Sequence, residues 1–295
     1  MSLPLVNKVA IVTGASKGIG AAIAKRLAAD GATVVINYVN SADVADELAN
    51  SINAQGPGKA IAIKADVSKI EGGKKLLEDA IEIFGQLDIL VFNAGLMKNE
   101  VLANVSEKDF DDHIDINVKV PLFVTQSAAR FLKPGARVMF FSTALTLNSA
   151  PPPNYLLYLT SKGAVEHVVR VLAKDLGAKG ITVNAICPGP TDTDLFREGK
   201  TEQLIQFFAN MHPQKRIPSP DEIAPIVAFL ARDEAGWING QKLYVNGVSF
   251  RYGTRCMGDA DNVFASRVSM CNSVRDSRSY KLHFVVQCNH CIRLL

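Results

Sequence analysis

Residues 8–20 read KVAIVTGASKGIG, and this stretch decides the fold class. Its apolar first half is typical of a buried strand, and Ile19, Ile23 and Leu27 then recur at helical spacing. Glycines let a backbone turn tightly and approach a pyrophosphate, and the start of the next helix offers free N–H groups. A plain glycine-rich loop has the same composition, but the position between strand and helix favours a dinucleotide-binding turn.

Beyond this turn, short apolar runs alternate with helical patterns as far as residue 245. This alternation predicts βαβ units, and near-continuous apolar strands indicate a parallel sheet covered by helices on both faces. Right-handed crossovers then give a single α/β, doubly wound, Rossmann-like domain with ligands at the carboxyl ends of its strands. The predicted strands are 8–13, 33–38, 60–65, 88–92, 137–141, 182–186 and 242–245, and the predicted helices are 18–30, 44–52, 70–84, 106–132, 156–177 and 221–231.

The composition separates a body, residues 1–250, from a tail, residues 251–295. The 295 residues carry a net charge of +3, but the tail alone has seven basic and three acidic residues and four of the five cysteines. The body is therefore close to neutral, and basicity gives no argument for a nucleic-acid or membrane partner. No apolar run is long enough for a membrane span. The first residues of the sequence favour a strand over a signal peptide. We therefore expect a cytoplasmic protein.

We expect the tail to be a disordered or irregular extension of the catalytic domain. Cys256, Cys271, Cys288 and Cys291 are of the right type for zinc, but their spacing matches no ordinary zinc module, so no metal is expected. An RNA-binding arm is an alternative from charge alone, but the tail lacks interleaved aromatic residues.

The second predicted strand bears on the choice of dinucleotide. NAD sites usually place an acid at the end of this strand, but here it ends in Asn37 and Tyr38, with no acid until Asp43. Lys17 in the glycine turn and Ser41 suit a 2′-phosphate instead. The sequence therefore favours NADP(H), although Lys17 could also be a solvated lysine at a helix start.

Tyr158 and Lys162 lie four residues apart on a predicted helix, so their side chains share one face. Alone, this pair could be a half-exposed aromatic beside a solvated lysine. A free tyrosine has a pKa of about 10, and roughly 4 kcal/mol of phenolate stabilisation is needed to bring it near 7. We expect the lysine ammonium and a positive nicotinamide ring to supply it.

Together these motifs make residues 7–250 resemble the short-chain dehydrogenase/reductase family, and residues 138–214 most resemble its fungal ketone reductases. The motifs, in the family's order, are TGASKGIG at 13–20, Asp66-Val67, Asn93-Ala94-Gly95, Asn117, Tyr158-xxx-Lys162 and Pro188-Gly189-xxx-Thr193. With the preceding argument, the resemblance implies cofactor-binding residues Gly14, Ser16, Lys17, Gly18, Ile19, Gly20, Asn37, Ser41, Asp66, Val67, Asn93, Ala94, Gly95, Lys162, Pro188, Gly189, Thr191 and Thr193.

The resemblance also implies the catalytic roles. Tyr158 is the expected general acid/base. Lys162 is expected to bind the nicotinamide ribose and to assist Tyr158, and Asn117 is expected to maintain a water relay to Lys162. The family's substrate-orienting serine aligns with Thr143, and Ser142 beside it is the second candidate. Threonine supplies the same hydroxyl, with a methyl group that narrows its rotamers.

The substrate side is expected in a mobile lid, residues 194–216. Its Leu195, Phe196, Phe207, Phe208 and Met211 could form an apolar pocket with Leu145, Leu147 and Tyr155, although about half of these residues could belong to the core or an oligomer contact. The predicted activity is NADPH-dependent reduction of a hydrophobic ketone, and aromatic or polyketide-like ketones are one candidate class. The alternatives are a 3-oxoacyl thioester reductase and a non-catalytic NADP-binding sensor or scaffold. A homodimer or homotetramer is implied by the resemblance.

Overall fold

The computed structural model describes residues 3–248, so the predictions for residues 251–295 lie outside the described residues. The strands are β1 Val9–Val12, β2 Thr33–Tyr38, β3 Lys59–Lys64, β4 Leu87–Phe92, β5 Leu132–Phe141, β6 Thr182–Pro188 and β7 Lys242–Val245. The helices are α1 Gly18–Ala29, α2 Ala42–Gln55, α3 Ile70–Phe84, α4 Glu107–Ile114, α5 Val120–Ala128, α6 Leu156–Gly177, α7 Asp194–Arg197, α8 Glu202–Met211 and α9 Ala224–Ala231.

These seven strands form one parallel sheet in the order β3-β2-β1-β4-β5-β6-β7. Successive residues of β1 face opposite layers: Ala10 and Val12 pack in one core, and Ile11 packs in the other. Helices α1 and α9 contribute to the first core, and α3, α5 and α6 contribute to the second. The α/β, doubly wound prediction is therefore confirmed. The strand order reverses between β1 and β4, where a ligand crevice is expected.

The prediction of one long helix over 106–132 is right for a continuous helical run from Glu107 to Ala128, but it is wrong about the regularity and the end of that run. The structure has α4, a π-helical turn over Asp115–Lys119 and α5, and Leu132 already belongs to β5. Ser106 and Asp109 form a capping box that starts α4, and Pro121 lies at the start of α5, where its missing N–H costs little. The π turn places Asn117 toward the carboxyl end of β4, as described below.

Among residues 3–248, no helix combines the length and apolar character needed to cross a membrane.

Candidate active site

The glycine turn after β1 has a shape that other residues cannot adopt without strain. Gly14 and Gly18 have φ of 59° and 57°, in the left-handed region. At Gly20 a Cβ atom would lie 2.5 Å from the carbonyl oxygen of Gly14. The Asn37 side-chain oxygen accepts the Gly14 N–H at 3.1 Å, and its nitrogen donates to the carbonyl of Ala65 at 3.0 Å. Asn37 is fully buried and supports the turn through these bonds; its direct contact with a cofactor stays a prediction.

A second set of hydrogen bonds joins the carboxyl ends of β1 and β4. The Thr13 hydroxyl accepts the N–H groups of Asn93 and Ala94, both at 3.0 Å. The Asn93 side chain donates back to the carbonyls of Thr13 and Gly14 at 3.0 and 3.1 Å. These bonds fix the width of the crevice at the point where the strand order reverses.

The start of α1 has the donors that a pyrophosphate requires. Lys17 occupies the N-cap position of α1, but its side chain makes no capping hydrogen bond. No N-cap side chain therefore accepts from the first N–H groups of α1, and such groups bind anions. Ser16 and Ile19 beside it are half-buried. The exposed Lys17 ammonium pairs with Asp194 of α7 at 3.1 Å. The glycine cradle and these donors fit a dinucleotide.

The candidate adenine side lies at the ends of β2 and β3. Asp66 is exposed, and hydrogen bonds from the Ser68 side chain and N–H hold the pKa of its carboxyl below the ordinary value. The Val67 side chain is buried in the core, which leaves only its backbone for a ligand. Ser41 is half-buried at the start of α2, where its side chain makes no capping bond.

The loop after β6 approaches the glycine turn from the other side. Strand β6 ends at Pro188, and a Cβ atom at Gly189 would lie 3.0 Å from the Cα of Asn246. Thr191 is buried and donates to the carbonyl of Gly189 at 3.1 Å. Thr193 caps α7, and its methyl group would lie 3.4 Å from a Cβ atom on Gly18. The two loops thus line one crevice.

Tyr158, Lys162 and Thr143 come together at the base of this crevice. The Lys162 ammonium donates to the carbonyl oxygen of Phe141 at 2.7 Å and lies 5.7 Å from the centroid of the Tyr158 ring. The Thr143 side chain is near enough to the Tyr158 hydroxyl to lower the pKa of the phenol by hydrogen bonding. A phenol, an ammonium and a second hydroxyl are therefore grouped as acid–base chemistry on a carbonyl oxygen requires.

Burial dominates the electrostatics of this group. Burial raises the pKa of the Tyr158 phenol to about 12, and the hydrogen bond with Thr143 offsets part of the rise. Burial also lowers the pKa of Lys162 to about 8. The direction at Tyr158 is opposite to the lowering expected from its lysine neighbour, because loss of hydration is the largest effect on this phenol.

Ser142 lies beside Thr143 in sequence but is turned away from Tyr158. It is buried, and its hydroxyl donates to Glu166 at 3.0 Å. Consecutive residues at the end of a strand point to opposite sides, so only one of the two can face the crevice. This geometry favours Thr143 over Ser142 for the hydroxyl position, and the assignment stays a prediction.

Asn117 joins three parts of the site through its side-chain amide. Its nitrogen donates to the carbonyl of Leu96 at 3.0 Å and to the Ser161 hydroxyl at 2.9 Å, and its oxygen accepts the Leu96 N–H at 3.0 Å. A Cβ atom at Gly95 would lie 2.9 Å from the Asn117 oxygen and 3.5 Å from the Lys162 nitrogen. Asn117 thus lies close to Lys162 and ties β4 to α6; the water relay stays a prediction.

The predicted lid forms α7 and α8 and carries a chain of aromatic contacts. The Phe196 and Phe207 rings both meet Phe208 edge to face, with centroids 5.6 and 5.8 Å away. The Lys200 ammonium lies 5.1 Å from the Phe196 centroid. Leu147 is buried. Of the other predicted pocket residues, Leu195 is exposed, whereas Leu145, Tyr155 and Met211 are half-buried.

Two charged residues next to the site were missed by the sequence reasoning. Glu166 is buried one turn after Lys162 on α6, and its carboxylate pairs with Lys242 of β7 at 2.9 Å. The available signal was spacing: Tyr158, Lys162 and Glu166 recur every four residues, so the carboxylate shares a helix face with the other two.

Known proteins are similar to this chain over most of its length. A family model described as enoyl-(acyl carrier protein) reductase matches residues 14–247. The chain is 38% identical over 256 residues to a probable tetrahydroxynaphthalene reductase of Zymoseptoria tritici, covering 83% of this chain and 95% of that protein. It is 41% identical over 258 residues to a versicolorin reductase of Emericella nidulans, covering 84% and 97%.

The solved structures agree. A short-chain dehydrogenase from Burkholderia cenocepacia, in complex with NADP, matches with a TM-score of 0.78 and 38% identity, covering 83% of this chain and 99% of that chain. The fold and the crevice define a dinucleotide-binding α/β protein. The chain belongs to the short-chain dehydrogenase/reductase family, and the resemblance to fungal ketone reductases is confirmed.

Proposed function

We propose that this protein is an NADPH-dependent reductase of a hydrophobic aromatic ketone. The observation that carries the proposal is the group of Tyr158, Thr143 and Lys162, which lies at the carboxyl end of the sheet beside a glycine cradle. The names of the relatives, a tetrahydroxynaphthalene reductase and a versicolorin reductase, support reduction of a polycyclic phenolic compound.

The cofactor proposed for this cradle is NADP(H). Gly14, Gly18 and Gly20, with the free N–H groups of α1, would hold the pyrophosphate, and Asp66 would contact the adenine. No acid ends β2, and the exposed Lys17 ammonium lies beside the cradle, where it suits a 2′-phosphate. The Burkholderia relative's complex with NADP supports the same choice.

The proposed chemistry is a proton transfer coupled to hydride addition at a carbonyl carbon. Bound NADPH supplies the hydride. Tyr158 stays protonated at neutral pH because its pKa is about 12, and it donates its proton to the oxygen that becomes the alcohol. Thr143 holds that oxygen by a hydrogen bond, and the Lys162 ammonium stabilises the negative charge left on the phenol oxygen.

The lid supports an aromatic substrate. Phe207 is 60% exposed, and together with Phe196 and Phe208 it offers ring faces and edges to a planar ligand.

We also propose a homodimer or homotetramer, by the family resemblance. A cytoplasmic location is proposed because Cys187, the cysteine of the described part of the chain, is free and buried.

The test is turnover by the purified full chain. NADPH oxidation is followed with two substrate panels, hydroxylated bicyclic ketones and 3-oxoacyl thioesters. Tyr158→Phe is expected to abolish turnover and retain NADPH binding. The comparison variant is Tyr155→Phe, which removes the phenol hydroxyl of the neighbouring ring, with centroids 6.4 Å apart. This variant is expected to lower turnover far less than Tyr158→Phe.

Three outcomes decide against parts of this proposal. Turnover of thioesters alone would make the protein a 3-oxoacyl thioester reductase. Tight NADPH binding without turnover of either panel would make it a sensor or scaffold. Retained turnover in Tyr158→Phe would refute the role of the phenol.

A further inference from the structure

A buried ion pair lies directly behind the proposed catalytic group. Glu166 is 8% exposed, and its two carboxylate oxygens have different partners. One oxygen accepts the hydroxyls of Ser142 at 3.0 Å and Thr146 at 2.7 Å. The other accepts the ammonium of Lys242 at 2.9 Å. An unpaired carboxylate at this depth would be costly, so its three donors compensate for its burial.

The two hydroxyls that Glu166 holds flank Thr143. Ser142 precedes Thr143 by one residue, and Thr146 follows it by three; the Thr146 hydroxyl also lies 2.9 Å from the Thr143 carbonyl oxygen. Between them the chain leaves β5 and enters a short 3-10 turn at residues 144–147. One carboxylate therefore holds the segment on both sides of Thr143.

The same carboxylate belongs to the helix that carries the acid. Tyr158, Lys162 and Glu166 are spaced by four on α6, so they share one face of a rigid element. The Ser142 hydroxyl lies 3.4 Å from the carbonyl oxygen of Lys162, which brings the segment against this helix again. The separation of the Thr143 and Tyr158 hydroxyls thus depends on how Glu166 joins the segment to α6.

We propose that Glu166, paired with Lys242, is a positioning residue that holds the Thr143 hydroxyl in place beside Tyr158. The inference rests on the proposed function, because it assigns Glu166 a part in that reaction. Glu166 touches neither substrate nor cofactor; it acts through Thr143. Lys242 joins the arrangement to β7 at the sheet edge, and its pairing raises the pKa of the lysine.

The test is a double-mutant cycle on the full-length protein with the ketone that the wild type reduces. Glu166→Gln keeps the shape but removes the charge, and its amide cannot accept from both hydroxyls and from Lys242. We expect kcat to fall about 10- to 100-fold, as for a misplaced reacting group, with KM for NADPH within about twofold. In a Thr143→Ala background, Glu166→Gln should lower kcat by less than about twofold, because no Thr143 hydroxyl is left to position.

The controls separate positioning from general damage. Glu78→Gln on the exposed face of α3 should leave kcat unchanged. If Glu166→Gln does not fold, as judged by its melting curve, Thr146→Val removes one of the two hydroxyl donors and should lower kcat with the same dependence on Thr143. Equal losses of kcat with and without Thr143, or no loss in an active wild-type background, would overturn the inference. A wild type without ketone turnover would instead refute the proposed function.

Discussion

Replacing Thr13 by valine removes one oxygen from the place where β1 meets β4. The Thr13 hydroxyl is the acceptor for the N–H groups of Asn93 and Ala94, both at 3.0 Å, and it donates to the carbonyl of Val91 at 3.4 Å. Thr13 is 5% exposed, so water does not readily replace it. Valine has nearly the same shape, and the change therefore isolates the hydrogen bonds.

The magnitude follows from the two N–H groups left without their acceptor. Each costs about 1–2 kcal/mol when part-buried, so the free energy of unfolding should fall by about 2–4 kcal/mol. A domain is typically stable by about 5–15 kcal/mol, and the variant should remain folded. Because the same bonds set the position of Asn93 against Gly14, we also expect NADPH to bind several-fold more weakly.

Urea denaturation followed by circular dichroism measures the first effect, and NADPH fluorescence titration measures the second. Thr13→Ser is the matched control, because it keeps the acceptor and loses only a methyl group; it should cost about 1 kcal/mol. The reasoning is refuted if the valine variant is within about 0.5 kcal/mol of the wild type, or if serine and valine destabilise equally.

Three further predictions concern the crevice. The Lys162 ammonium is present below its pKa of about 8 and is lost above it, so kcat/KM for reduction should fall as the pH rises through 8. A kcat/KM that stays constant well above pH 8 would contradict the role of the ammonium. Gly20→Ala places a Cβ atom 2.5 Å from the Gly14 carbonyl oxygen, so it should lower the free energy of unfolding by about 1–3 kcal/mol and weaken NADPH binding. The control is Gly163→Ala on α6, where a Cβ atom meets no atom within 4 Å and neither stability nor NADPH binding should fall. Calorimetry and cofactor titration compare the two variants. Lys17→Gln should raise KM for NADPH about 10-fold and leave that for NADH unchanged, and equal effects on both would remove the 2′-phosphate role.

Most elements of the fold could be predicted because their signals are local. The bounds of β2, α3, α6 and β7 agree with the sequence patterns residue for residue, since apolar periodicity and glycine or proline boundaries lie within each segment. The region 106–132 could not be predicted in this way. Its π-helical turn carries Asn117, whose partners Leu96 and Ser161 lie far away along the chain.

The candidate site divides in the same manner. Spacing along one helix was enough to pair Tyr158 with Lys162, and a strand–turn–helix motif was enough to locate the cradle. The choice between Ser142 and Thr143 required the packing of β5 against α6. The direction of the Tyr158 pKa shift required the burial of the phenol, which no spacing reports.

The sequence by itself determined the doubly wound class, the glycine cradle and the Tyr158–Lys162 pair, because each is encoded in neighbouring residues. Only the tertiary structure decided that Asn37 lies beneath the turn, that Thr143 faces the phenol, and that Glu166 meets Lys242. These contacts join residues separated by 15 or more positions. Their hydrogen bonds form only after the sheet and helices have packed and excluded water, so no local pattern of residues could specify them.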